Sequence, residues 1–117
     1  MRRDSHLLLD IRIAVEDIAS YTAGMRLADF LADSKTQAAV ERQLIIIGEA
    51  ANRLTSAFRD LHPEIPWKRL AQIRHFYVHG YERLRPEDVW STAKRFIPRI
   101  GRQVTALIPS EEEEEAE

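Results

Sequence analysis

Apolar residues recur along most of the chain at steps of three and four, the spacing that puts side chains on one face of an α-helix. Leu8, Ile11, Val15 and Ile18 mark an amphipathic helix over residues 4–21, and Gly24 is placed to end it. Residues 26–31 can add one or two turns. Val40, Leu44, Ile47, Ala51, Leu54 and Phe58 then step by 4, 3, 4, 3 and 4, which predicts a long second helix over residues 34–58. Ile45 and Ile46 widen its apolar stripe, so this helix needs more than one packing partner. It is either central in a bundle or also meets a second subunit.

A connector, His62-Pro63-Glu64-Ile65-Pro66-Trp67, follows. Pro66 suits the first turn of a helix, where a missing N–H costs nothing. The third helix is expected over residues 67–79, with Trp67, Leu70, Ile73 and Tyr77 on its apolar side and Gly80 at its end. A fourth begins near Pro86-Glu87-Asp88, where a proline and two acids suit a helix start and its dipole. Val89, Ala93, Phe96, Ile100, Val104 and Leu107 form its apolar face, and Pro98 inside that pattern is expected to kink it. No segment alternates with the period of two that a strand requires. The predicted fold class is all-α: an up-and-down four-helix bundle with one short extra helical turn.

Composition narrows this picture. At 117 residues the chain makes one domain, placed at residues 1–109. Residues 110–117 form an acidic tail with no apolar residue except Ala116, and it is expected to be disordered. Residues 111–117 hold six of the 19 acids, so the rest of the chain carries 17 basic against 13 acidic residues. The net charge of −2 therefore hides a body of +4. That excess is compatible with RNA binding, but on charge alone an ordinary mixed-charge surface is the simpler reading. The absence of cysteine excludes disulfides and thiolate metal sites. No apolar run reaches the length of a membrane span, and acids and arginines interrupt the basic start, so neither a membrane segment nor a signal peptide is expected. The cytoplasm is the expected location. Phosphate-loop, nucleophile-elbow, zincin and EF-hand spacings are all missing, and no metal or cofactor is expected.

What remains is the end of the third helix. Arg74, His75, Tyr77, His79 and Tyr81 fall within eight residues. An arginine can hold a phosphate bidentately and offset charge that develops on its oxygens. A histidine can accept or donate a proton near neutral pH. RNA carries its own nucleophile, the 2′-OH, so its cleavage needs little beyond a proton carrier and a cation. With 14 Arg and 4 His in the chain, an Arg-x4-His pair is expected by chance roughly 0.5 times. Requiring a tyrosine two residues later lowers this to about 0.01.

Arg74-x4-His79-x-Tyr81 resembles the motif of HEPN domains, in the form found in HepT ribonuclease toxins. Three more stretches are similar to that family in the same order: Ile46-Ile47-Gly48-Glu49-Ala50-Ala51-Asn52-Arg53-Leu54, the 62–67 connector, and Val89-Trp90. The resemblance implies a metal-independent endoribonuclease that works as a homodimer, with two copies of the motif facing each other across a cleft. Arg74 and His79 would be the catalytic pair, with His75, Tyr77 and Glu49 in support. It also implies a partner, a nucleotidyltransferase antitoxin of the MntA kind, which would AMPylate Tyr81. The family commonly places a small polar residue, often Asn, after the arginine, whereas this chain has His75. His75 could replace that partner, add a second titrating group, or weaken catalysis.

Each residue also has a plainer reading. Arg74 can be a surface arginine, and His79 a helix-terminal histidine favoured by the dipole. Tyr81 can be a packing residue with its OH at the surface, and Trp67 and Trp90 core anchors. Glu49 is either a surface acid or a buried carboxylate pointing at the motif. On an ideal helix, five residues turn a side chain by about 140°. Arg74 and His79 therefore converge only if the helix loosens at its end or a partner subunit supplies one of them.

Overall fold

The computed structural model describes the backbone of residues 2–78 and 85–110 and the side chains of residues 3–73 and 85–110. Its helices are α1 (Arg2–Tyr21), α2 (Leu27–Leu31), α3 (Ser34–Arg53), α4 (Ser56–Leu61), α5 (Trp67–Val78), α6 (Pro86–Ser91) and α7 (Ile97–Thr105). A π turn, Thr92–Phe96, joins α6 to α7. There is no strand among the described residues. The expected 110–117 tail falls mainly on residues 111–117, which lie outside them.

The bundle is built on α3, which packs against α1 on one side and α5 on the other, while α7 closes against α1. The buried face of α3 is Val40, Leu44, Ile47, Gly48, Ala50 and Ala51. Its central place accounts for part of the wide apolar stripe, with Ile46 packed against the core and Ile45 half-buried outside it. From α1 come Leu7, Leu8, Ile11, Ala14 and Ile18, and from α7 Ile97, Ile100 and Val104, all buried. Each fully buried aliphatic side chain contributes about 1.5–3 kcal/mol relative to exposure. Gly24, with φ of 74°, turns the chain after α1 in the left-handed conformation that glycine adopts without strain.

The long second helix is shorter than its periodicity predicts. It stops at Arg53, and Leu54 is extended, with φ −61° and ψ 145°. Thr55 then caps α4 by accepting from the Phe58 N–H. Buried Asp4, at the start of α1, accepts from both the Thr55 N–H (3.0 Å) and the Thr55 hydroxyl (2.8 Å). The break satisfies a buried carboxylate from a distant part of the chain. Phe58 stays in register with the apolar pattern and packs at the edge of the core, 4.6 Å from the His62 ring and 6.1 Å from that of Trp67. His62, which the sequence gives no reason to bury, is half-buried there.

The response to Pro98 also differs from a simple kink. A helical proline lacks a donor, and its ring crowds the carbonyl four residues back. Here the chain widens just upstream, where the Ile97 N–H reaches Thr92 O, five residues away. Beyond it, Gly101 faces α1 so closely that a Cβ there would lie 2.6 Å from Val15 Cγ1. Glycine is what lets α1 and α7 approach.

Candidate active site

The candidate residues sit on α5, whose start is firmly set. The Trp67 N–H donates to Ile65 O and the Leu70 N–H to Pro66 O, so Pro66 lies at the entry to the helix. Trp67 Nε1 donates to His62 O at 2.9 Å, pinning the indole while its ring is buried. Leu70 is fully buried and Ile73 half-buried against α3. The helix therefore presents a fixed face to the core and runs on through Val78.

Arg74, His75 and Tyr77 lie in the backbone of its last turn. Their side chains, and the whole of His79, Gly80 and Tyr81, fall outside the described residues. The expected helix end at Gly80 falls there too, as does the convergence of Arg74 with His79. Glu49 is described. It is exposed on α3, so it is a surface acid rather than a buried carboxylate. Trp90 is half-buried, with its ring centre 5.2 Å from that of Phe30. Buried Trp67 and half-buried Trp90 thus match the anchor reading. Among the described residues no three His, Asp or Glu side chains group as a metal site requires. No described helix is long and apolar enough to cross a membrane.

Charge is distributed unevenly around this helix. The α5 sequence holds Lys68, Arg69 and Arg74 and no acidic residue. From Val89 to Ser110 there are four basic residues, Lys94, Arg95, Arg99 and Arg102, and no acid at all. The two segments meet at Phe96, where the guanidinium carbon of Arg69 lies 4.0 Å from the ring centre and that of Arg99 5.6 Å from it. Two cations thus cover one buried ring, each contact contributing about 0.5–1 kcal/mol. Lys94 turns the other way, donating to Thr22 Oγ1 at 3.2 Å and lying 5.3 Å from the Trp90 ring. Sequence reasoning missed this basic face. The available signal was the 4 and 3 spacing of Arg95, Arg99 and Arg102 in a stretch free of carboxylates.

Fold and charge define an all-helical bundle in which α5, with Arg74 and His75 near its end, meets a basic surface through Arg69. The chain belongs to the HepT-like ribonuclease family, whose profile, "Ribonuclease HepT-like", matches residues 11–107. It is 41% identical over 99 residues to the "Probable ribonuclease HepT" of Thermococcus cleftensis, covering 85% of this chain and 90% of that one. A Methanocaldococcus jannaschii protein with an RNase name is 34% identical over 108 residues, 92% of this chain and 89% of its own length. One from Caldanaerobacter subterraneus, also carrying an RNase name, is 31% identical over 106 residues, 91% of each chain. No solved structure matches the chain.

Proposed function

We propose that the chain is a metal-independent endoribonuclease and the toxin of a toxin–antitoxin pair, acting in the cytoplasm. The observation that carries this reading is Arg74-x4-His79-x-Tyr81 on and just beyond α5, in a chain of the HepT-like ribonuclease family. Arg74 holds the scissile phosphate and offsets charge on its non-bridging oxygens. The ribose 2′-oxygen attacks phosphorus, the bond to the 5′-oxygen breaks, and the 2′-OH proton is taken up as the departing oxygen gains one. His79 is the proton carrier. His75 and Tyr77 line the same turn, and Glu49 is a surface carboxylate that supports them.

A homodimer completes the pocket by bringing two motifs together, which removes the 140° problem of a single helix. The antitoxin is a nucleotidyltransferase that attaches AMP to Tyr81. The added anionic nucleotide would block an anionic substrate by charge and by volume. His75, in place of a small polar residue, favours one alternative: a non-catalytic bundle whose task is to pair with the nucleotidyltransferase.

The test is incubation of the purified protein with RNA in EDTA, beside Arg74→Ala and His79→Ala variants. Cleavage by the natural sequence and a loss of about 10²–10⁴-fold in kcat in each variant are expected. Equal cleavage by all three would indicate a contaminant and favour the non-catalytic alternative. Mass analysis of protein from its host tests the regulation, through an increment of one or more AMP units mapped to Tyr81.

A further inference from the structure

We infer that Arg69 on α5 together with Arg95, Arg99 and Arg102 on the π turn and α7 forms a track for the sugar–phosphate backbone of single-stranded RNA. The inference rests on the ribonuclease reading and adds a binding surface outside the motif. All four arginines are exposed, and none has a carboxylate partner among the described residues. Unpaired guanidiniums gathered on one face repel each other unless an anion lies between them. Arg69 and Arg99 share the Phe96 ring, so they stand within reach of neighbouring phosphates of one strand. Stacking on that ring also pre-orients their planar forks, lowering the entropy lost when a phosphate is held.

The row form selects a polyanion over a single phosphate. Arg95, Arg99 and Arg102 are spaced by four and three residues, placing them about 6 Å and 4.5 Å apart along the helix axis. The π turn falls in this row, and such turns recur at functional sites. Arg69 also links the row to the candidate active site, because it stands about 7.5 Å from Arg74 along α5. Those five residues turn by about 140°, so a bound strand would cross α5 obliquely rather than run along it. Contacts made to phosphates carry no sequence information, so binding held by them is independent of sequence.

The test uses the full chain with His79→Ala, so that a labelled single-stranded RNA of mixed sequence is not consumed, and anisotropy in EDTA as readout. Adding Arg95→Gln and Arg99→Gln together is expected to weaken binding on the order of 10-fold at low salt. The slope of log affinity against log salt is expected to flatten by about 1.4, the value for two phosphate contacts on a single strand. Arg99→Lys, which keeps the charge, is expected to keep the slope. Unchanged affinity and slope in the double substitution would overturn the track, with circular dichroism confirming an intact helical fold. A second measurement needs no new variant. The protein with Arg69, Arg95, Arg99 and Arg102 in place must show a slope of about −2 or steeper, for three or more contacts, and a slope near zero overturns the track as well. The two proposals fail separately. RNA binding that depends on Arg95 and Arg99, without cleavage by the natural sequence, would sink the nuclease and leave the track. Cleavage with binding indifferent to these arginines would do the reverse.

Discussion

Asp4 shows how much one residue can decide. Its carboxylate is 1% exposed and satisfies both the amide and the hydroxyl of Thr55, so it joins the first turn of α1 to the gap between α3 and α4. Asp4→Ala is expected to destabilise the fold by about 2 kcal/mol, because two bonds to a charged acceptor are lost and the Thr55 amide is stranded. Asp4→Asn keeps an acceptor and should lose less. Urea midpoints measure both, and equal losses in the two variants would contradict this account. Asp33 acts on a smaller scale, capping α3 through the Thr36 N–H (3.0 Å) and Thr36 hydroxyl (2.7 Å). Chiefly the hydroxyl bond, then the amide bond, holds its carboxyl below the usual range. A depressed acid contributes stability that is present above its unfolded value, near 3.9, and is lost as pH falls through the folded value. The natural protein is therefore expected to lose more stability than Asp33→Asn between about pH 5 and pH 2. Parallel pH curves for the two would refute the role of the cap.

At the scale of elements, the contact between α1 and α7 makes the sharpest demand. Gly101→Ala sets a methyl 2.6 Å from a Val15 methyl, and a β-branched valine has little rotamer freedom to retreat. Overpacking of this kind costs about 1–3 kcal/mol, offset in part by roughly 1 kcal/mol of better helix propensity. A net loss near 1 kcal/mol is expected, and combining it with Val15→Ala should remove most of the overpacking penalty that Gly101→Ala introduces. A double-mutant cycle with no coupling would show that the two helices do not meet as described. The elements themselves were largely legible, because α1, α3, α5 and α7 each turn one periodic face to a shared core. The break at Leu54 was not. Phe58 keeps the period across it, and its cause, Asp4, lies 51 residues from Thr55. Pro98 announced a disturbance, but not that Thr92–Phe96 would absorb it as a π turn. Arg74-x4-His79-x-Tyr81 is visible in the sequence because its residues are neighbours there. The Arg69–Phe96–Arg99 stack could not, since packing alone brings its members together.

Over the whole molecule, charge is sorted by position. Residues 89–110 hold four bases and no acid, and residues 111–117, which follow directly, hold six acids and no base. A polyanion tethered next to a basic surface competes with any other polyanion for it, at a local concentration that free RNA must overcome. Deleting residues 111–117 is therefore expected to tighten binding of single-stranded RNA several-fold at about 0.01 M salt, where the screening length is about 30 Å. Near 1 M salt that length falls to about 3 Å, and the two forms should bind alike. The comparison also bears on the arginines. If the tail competes for Arg95, Arg99 and Arg102, its deletion should have little effect once Arg95 and Arg99 are glutamine. Equal RNA affinity with and without the tail at low salt would rule out the competition. A gain on deletion that survives the Arg95→Gln, Arg99→Gln change would move the competition to another surface, leaving the arginine row to be judged by its own salt slope.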